Sequence, residues 1–287
     1  MALALAQRVG GTIINADASQ LYADLRVVSA RPSAADEALV PHLLYGVVDG
    51  DDVANAARWA AMARAAIAEV VAAGRVPILV GGTGLYLTTL IDGIAPVPEV
   101  DPGVRAAVRA LETAEAAAAL AAEDPALAAR LMMGDRQRLL RGLEVVRSSG
   151  QSLLHWQRQR SGGISAAHDV RAMVVDVERE ALRARVEPRL WAMLAAGLGE
   201  VGALTARRLA ADRPVLRALG VTEFAAVNSG AMTPAAAVAA AGTATRQYQK
   251  RQLTWLRSQA PAWTRVALNR IAEALAVLTE RSGHRAR

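Results

Sequence analysis

Apolar positions in the first hundred residues alternate between helical spacing and short continuous runs. Residues 1–9 are strong helix formers, and residues 12–15 follow them as a short apolar strand. Residues 51–73 show helical spacing again, and residues 76–80 form a second buried-type strand that runs into a glycine-rich turn. This alternation predicts βαβ units around a parallel sheet.

The pattern changes after the prolines at 96, 98 and 102. Residues 106–122 and 125–133 have helical spacing with few polar side chains, and the chain stays helical in character to about residue 160. We therefore predict an all-helical insertion over residues 101–167, within an α/β core formed by residues 1–100 and 168–287.

The return to the core begins with residues 171–177, which are strand-like and are expected to rejoin the sheet. The remaining segments are predicted to be helices: residues 179–197, 200–211, 234–258 and, at the end, 268–282.

Composition narrows the class of protein. The chain has no cysteine and four scattered histidines, which argues against disulfides, thiolate metal sites and a zinc site. No apolar run reaches the ~20 residues needed to span a bilayer, and no basic-then-apolar leader opens the chain, so we expect a cytoplasmic protein. The net charge of +6 favours a polyanionic partner, although the excess of arginine is also what a GC-rich coding bias produces.

Four polar segments carry candidate chemistry. The first follows the strand at 12–15 and contains Asp17, Ser19, Gln20 and Tyr22. Open α/β sheets bind ligands at the carboxyl ends of their strands, where an aspartate can serve as a general base. The alternative is an aspartate that only caps a turn.

The second segment is the glycine-rich turn formed by Gly81, Gly82, Thr83 and Gly84. Glycines allow backbone N–H groups to approach an anion, and the N-terminus of the following helix favours negative charge. The alternative is a plain turn between a strand and a helix.

The third segment begins at Asp135, a natural N-cap. Arg138 and Arg141 are three residues apart and share one face of the helix, and Gln137 is suited to contact a base edge. The alternative is a solvated arginine face.

The fourth segment is the helix over residues 245–257. Arg246, Lys250 and Arg257 fall within about 40° of one another at ~100° per residue, which suits contact with a nucleic-acid backbone. The opposite side carries the residues expected to pack on the core: Tyr248, Trp255 and Leu256. Leu253 breaks this division, and an ordinary amphipathic helix is the alternative.

In this order the segments resemble the tRNA dimethylallyltransferase (tRNA isopentenyltransferase) family. The strings that carry the resemblance are IINADASQLY (13–22), SARPS (29–33), VPHLLYGVVD (40–49), PILVGGTGLYL (77–87), GDRQRLLRGLEVVRSSGQSL (134–153), RALGVTEF (217–224) and TATRQYQKRQLTWLR (243–257). The resemblance implies a P-loop NTPase-like, nucleoside-kinase-like parallel-sheet core with a helical insertion. It also implies transfer of a dimethylallyl group from dimethylallyl diphosphate to N6 of adenosine 37 in the anticodon loop of tRNAs that read codons starting with U, with Mg²⁺ as cofactor.

By the same resemblance, Asp17 is the expected base and Arg217 the arginine expected to hold the diphosphate. The positions expected to contact tRNA are Asp17, Ala18, Ser19, Gln20, Thr83, Arg105, Gln137, Arg138, Leu139, Leu140, Arg141, Arg246 and Lys250. A monomer is expected.

Members of this family open with a strand and a phosphate loop of the type GPTxSGK[ST], which have no counterpart before residue 1. We expect that the natural protein starts upstream of Met1, or else that the chain is truncated. The 287-residue polypeptide by itself is expected not to transfer dimethylallyl groups. Two other classes stay open: a tRNA-binding protein without catalysis, and an isopentenyltransferase that acts on free adenine nucleotide.

Overall fold

The computed structural model describes residues 1–267 and Arg270, and these divide into two compact units. The first unit comprises Met1–Thr88 and the chain from Val170 onward, and the second comprises Thr89–Asp169. The insertion predicted over residues 101–167 lies inside the second unit. The closing helix predicted over residues 268–282 lies, apart from Arg270, outside the described residues.

The helices and strands are as follows. The helices are α1 (Ala2–Val9), α2 (Ala34–Leu39), α3 (Ala56–Ala72), α4 (Gly84–Asp92), α5 (Pro102–Arg109), α6 (Thr113–Glu123), α7 (Pro125–Ala128), α8 (Arg136–Ser149), α9 (Leu153–Gln157), α10 (Arg179–Ala206), α11 (Val221–Asn228) and α12 (Pro234–Gln259). The strands are β1 (Gly11–Asn15), β2 (His42–Leu43), β3 (Val76–Val80), β4 (Met173–Asp176) and β5 (Thr264–Ala267). Within the described residues, no helix is both long and apolar enough to cross a bilayer.

The main sheet of the first unit is parallel, as predicted, with β1 between β2 and β3. The β1–β3 register runs from Gly11 opposite Val76 to Asn15 opposite Val80. Every residue of β1 is buried, which explains why its sequence is a continuous apolar run rather than an alternating one. The short strand β2 was not predicted, because two residues carry no periodicity.

The sheet prediction is wrong for the strand after the insertion. β4 does not join β1–β3; it pairs in parallel with β5 in a separate two-stranded sheet. Of its four residues only Val174 is buried, and Val175 and Asp176 are exposed. An apolar run indicates that a strand forms, but it does not specify the neighbour with which the strand pairs.

The predicted boundaries of two helices in the first unit are also wrong. Helix α3 starts at Ala56 rather than 51, because the Asn55 side chain accepts the Arg58 N–H at 2.9 Å and caps the helix there. Helix α10 runs unbroken through the predicted gap at 198–199, and it ends at Ala206 rather than at 211. Gly197 belongs to this helix because a β-carbon would stand 2.7 Å from Val28 Cγ2, so this glycine permits close packing and is not a stop signal.

The second unit is helical from α5 to α9, as predicted, but the helix predicted over residues 125–133 ends at Ala128. Its core is formed by apolar side chains of α5, α6, α7 and α8, with Val108, Leu120 and Leu143 fully buried. The predicted helix over 106–122 is divided into α5 and α6, because the chain turns at residues 110–112. Glu115 accepts the Glu112 N–H at 2.8 Å and so starts α6.

Candidate active site

The turn after β1 is held in place by Asn15, which is fully buried. Its amide nitrogen donates to the carbonyl oxygens of Asp17 (2.9 Å) and Leu44 (3.0 Å), and its amide oxygen accepts the Asp17 N–H (2.8 Å). The indole N–H of buried Trp59 donates to the Asn15 carbonyl at 2.9 Å. This fully bonded buried amide fixes the backbone on which Asp17 sits. The sequence analysis missed Asn15.

Asp17 lies at the carboxyl end of the central strand, as predicted. One carboxylate oxygen, Oδ1, accepts the Ser19 N–H at 2.9 Å. Burial raises the pKa of Asp17 above its ordinary value, although the backbone N–H groups of Ser19 and Gln20 and the charge of Arg189 act in the opposite direction. A carboxylate with a raised pKa is a stronger base than an ordinary surface aspartate.

The positive charge of Arg189 lowers the pKa of Asp17, and the sequence analysis did not single this arginine out. It lies on α10, 172 positions along the chain from Asp17, and its charge reaches the Asp17 carboxylate. Nothing in the local sequence distinguishes it from the other arginines of α10, so only the tertiary fold identifies it.

Of the other residues predicted in this turn, two make hydrogen bonds within the first unit and two are partly exposed beside Asp17. Gln20 donates through its amide to the carbonyls of Ser29 (3.0 Å) and Ala30 (2.8 Å), so it braces a neighbouring loop. Tyr22 is buried, and its hydroxyl accepts the Ala54 N–H at 3.3 Å. Ala18 and Ser19 are partly exposed beside Asp17.

The glycine-rich turn at 81–84 packs closely on neighbouring elements of the first unit. Thr83 donates its N–H to the Ala16 carbonyl (3.3 Å), and its hydroxyl accepts the Ala18 N–H (3.0 Å). A β-carbon at Gly81 would collide with the Ala16 backbone, and one at Gly84 would collide with the Trp255 indole. These glycines therefore permit close packing on the residue after β1 and on α12.

Helix α12 carries its side chains largely as predicted. Gln252 donates to the Gly82 carbonyl at 3.1 Å, and Trp255 packs against Gly84, so this face of α12 contacts the glycine-rich turn. Burial raises the pKa of Tyr248, and the Thr83 and Gln252 side chains act in the opposite direction. Tyr248, Trp255 and Leu256 are partly, not fully, buried.

The opposite face of α12 lines a groove of about 380 Å³ against α10. The predicted cations Arg246, Lys250 and Arg257 all line it, and α10 adds Arg179 and Arg183. Leu253 lies in the same groove, which confirms that it breaks the polar face. The structure thus places five positive charges along one groove of the first unit.

Arg217, predicted from the resemblance to hold a diphosphate, lies at the end of a short 3₁₀ helix (Pro214–Arg217). It is exposed and donates to the Asp212 carbonyl at 3.1 Å. Its positive charge lowers the pKa of Tyr22, opposing the larger effect of burial. Because Tyr22 follows the turn that carries Asp17, the charge of Arg217 acts on this end of the turn.

The second unit has its own cationic face. Arg105, Gln137 and Arg138 are exposed, and Arg141 is partly exposed. Asp135 caps α8 as predicted by accepting the Arg138 N–H at 3.3 Å. Leu139 is buried in the helical core, and Leu140 packs against that core. Both side chains therefore pack in or against the interior of the second unit, and tRNA contact at these two positions stays a prediction.

No group of three or more His, Asp or Glu side chains among the described residues is arranged to hold a metal ion. A dedicated protein cage for Mg²⁺ therefore does not fit the described residues. Mg²⁺ commonly keeps water ligands and binds through substrate phosphates, which needs few protein ligands.

Comparison with known proteins shows the family to which this chain is similar. The sequence model for IPP transferase matches residues 20–259. The tRNA dimethylallyltransferase of Sphingopyxis alaskensis is 55% identical over 92% of this chain and 88% of its own length. That of Zymomonas mobilis is 44% identical over 93% of this chain and 86% of its own length.

Solved structures agree in fold. The tRNA isopentenylpyrophosphate transferase of Bacillus halodurans superposes with a TM-score of 0.66 at 26% identity, covering 98% of this chain and 94% of that one. A eukaryotic dimethylallyltransferase acting on tRNA superposes with a TM-score of 0.84 at 21% identity, covering 99% and 76%, which shows the fold alone. The expected P-loop NTPase-like α/β fold is confirmed.

Proposed function

Because the chain belongs to the IPP transferase family, we propose that it is a tRNA dimethylallyltransferase. It transfers a dimethylallyl group from dimethylallyl diphosphate to N6 of adenosine 37 in the anticodon loop of tRNAs that read codons starting with U. The product is N6-(dimethylallyl)adenosine. The observation that carries the proposal is the partly exposed Asp17, whose pKa is raised, on a braced turn at the end of the central strand.

The chemistry follows from the state of Asp17. The N6 amine forms a bond to carbon 1 of the dimethylallyl group as the bond from that carbon to the diphosphate oxygen breaks. The amine proton must then leave, and Oδ2 of Asp17 is the oxygen suited to take it, since Oδ1 is held by the Ser19 N–H. The adenosine has to leave the stack of the anticodon loop to reach this turn.

Arg217 is proposed to hold the diphosphate, whose oxygens gain charge as the bond breaks. Its exposed position and its positive charge, which acts on Tyr22, support this role. Mg²⁺, when bound to the diphosphate, would supply further charge neutralisation. The described residues offer no cage of carboxylate and histidine ligands for it.

Two cationic surfaces are proposed to hold tRNA. In the first unit, Asp17–Gln20 and Thr83 contact the anticodon loop, and the groove of α12 with Arg246 and Lys250 contacts phosphates. In the second unit, the face with Arg105, Gln137, Arg138 and Arg141 contacts the anticodon stem-loop. We propose a cytoplasmic monomer, because tRNA is modified in that compartment and one chain supplies every proposed contact.

The acceptor separates the proposal from its alternatives. Protein produced from its own chromosomal locus is incubated with dimethylallyl diphosphate and either an anticodon stem-loop RNA or AMP, and the nucleosides are analysed by mass spectrometry. We expect product with the stem-loop and none with AMP. Product with AMP would identify a free-nucleotide isopentenyltransferase, and salt-dependent RNA binding without product would identify a non-catalytic tRNA-binding protein.

A further inference from the structure

Glu144 is a buried carboxylate in the second unit that the proposed reaction does not use. Its side chain is 7% exposed within α8. Arg109 Nε on α5 lies 3.2 Å from Oε1, and Arg141 Nη1 on α8 lies 3.5 Å from Oε2. One buried charge therefore holds two arginines from two helices.

The Arg109 and Arg141 guanidinium groups contact Glu144 on one side and are exposed to solvent on the other. The Arg109 side chain is 66% exposed and that of Arg141 is 42% exposed, although their carboxylate partner is buried. Each guanidinium uses one nitrogen for Glu144, and its remaining N–H groups are left for another acceptor. A planar fork of this kind suits a phosphate oxygen.

Arg109 extends the face of the second unit that is proposed to contact tRNA. Arg109 lies four residues after Arg105, so the two share one face of α5. Arg138 and Arg141 share one face of α8 in the same way. Because Arg109 of α5 and Arg141 of α8 both form ion pairs with Glu144, their guanidinium groups lie close to the same carboxylate.

We propose that Arg109 is a further phosphate contact for tRNA and that Glu144 is a positioning residue that fixes Arg109 and Arg141 for this contact. The inference rests on the proposed tRNA-binding role of Arg141. An unpaired buried carboxylate is strongly unfavourable, so Glu144 keeps both arginines close. Arginines that are ordered before binding lose less side-chain entropy when the phosphate arrives.

Whether Glu144→Gln strengthens or weakens tRNA binding distinguishes a positioning role of Glu144 from a simple effect of its negative charge. Glu144→Gln is nearly isosteric and removes a negative charge, so charge alone predicts tighter tRNA binding. Loss of positioning predicts weaker binding. Glu123→Gln is the matched control: it removes the same charge from the same unit and breaks a 2.6 Å ion pair with Arg147. Affinity for an anticodon stem-loop RNA is measured for the full chain across a salt series.

We expect Glu144→Gln to weaken binding by about three- to tenfold, with a shallower salt dependence, while Glu123→Gln binds as tightly as wild type or more tightly. Arg109→Gln should weaken binding and lower the salt slope by roughly 0.7–0.9, the value of one phosphate contact. Circular dichroism confirms that each variant is folded. If Glu144→Gln fails to fold, Arg109→Gln still decides the new contact, because Glu144 keeps Arg141 as its partner.

The failures are separable. If Arg141→Gln binds as tightly as wild type, the proposed tRNA-binding role of this face is wrong. If Arg141→Gln weakens binding but Glu144→Gln tightens it as Glu123→Gln does, the positioning role is wrong. If Arg109→Gln alone leaves affinity and salt slope unchanged, the further phosphate contact is wrong.

Discussion

Substitution of Trp59 gives the most direct test of what stabilises the turn after β1, which carries Asp17. Trp59 is fully buried, stacks on Tyr86 with ring centroids 4.8 Å apart, and donates its indole N–H to the Asn15 carbonyl at 2.9 Å. The substitution Trp59→Phe keeps an aromatic ring but removes this hydrogen bond. It leaves the Asn15 carbonyl buried with one donor fewer, two residues before Asp17.

Two losses set the expected size of the effect. Removing the donor to a buried carbonyl costs about 1–3 kcal/mol. The smaller ring leaves a void of roughly 40 Å³, which at ~24 cal/mol per Å³ adds about 1 kcal/mol. We therefore expect Trp59→Phe to lower the free energy of unfolding by about 2–4 kcal/mol.

Urea unfolding followed by far-ultraviolet circular dichroism measures this change. Trp191→Phe is the matched control, since it makes the same chemical change on α10 at a side chain that is 42% exposed. It should change the free energy of unfolding by less than about 0.5 kcal/mol. Equal effects of the two substitutions would refute the argument that the Trp59–Asn15 bond supports the turn.

Two further predictions concern Asp17 in the turn after β1 and Gly81 in the glycine-rich turn that packs on it. Burial raises the pKa of Asp17, so its protonated form stabilises the fold below the unfolded-state pKa, and that contribution is lost as pH rises through the folded-state pKa. Asp17→Asn should therefore raise the melting temperature at pH 7.5 and lose this advantage near pH 4; an equal shift at every pH would contradict the assignment. Gly81→Ala should lower the melting temperature by at least about 4 °C because its β-carbon meets the Ala16 backbone. Gly134→Ala, with open space around it, should change little, and equal shifts would show that Gly81 is not packed as described.

Some of the fold could be predicted because burial leaves a local signature. β1 and β3 are short apolar runs between turn residues, and both sit in the predicted parallel sheet. The partner of β4 could not be predicted, because strand pairing depends on residues about ninety positions away. Gly197 looked like a helix stop, but it is required by close packing against Val28.

In the candidate active site, too, some residues could be predicted from the local sequence and others depend on tertiary structure. Asp17 was predictable because the carboxyl end of a parallel strand is where ligands bind. Asn15 was missed because a polar residue inside an apolar strand signals burial only once its three hydrogen-bond partners are known. Glu144 was missed because its role depends on a contact between α5 and α8. Arg189 was missed because its charge acts on Asp17 from a distant part of the sequence. Leu139 matched the family motif but belongs to the core.

The central claim is that Asp17 removes the proton from adenosine during dimethylallyl transfer to tRNA. The most direct measurement is mass spectrometry of tRNA nucleosides from cells that carry Asp17→Asn at the gene's own locus. The exposed Asp212→Asn serves as the control. The account predicts N6-(dimethylallyl)adenosine at position 37 in wild-type and Asp212→Asn cells, and its loss in Asp17→Asn cells. Equal amounts of the modified nucleoside in all three strains would contradict it.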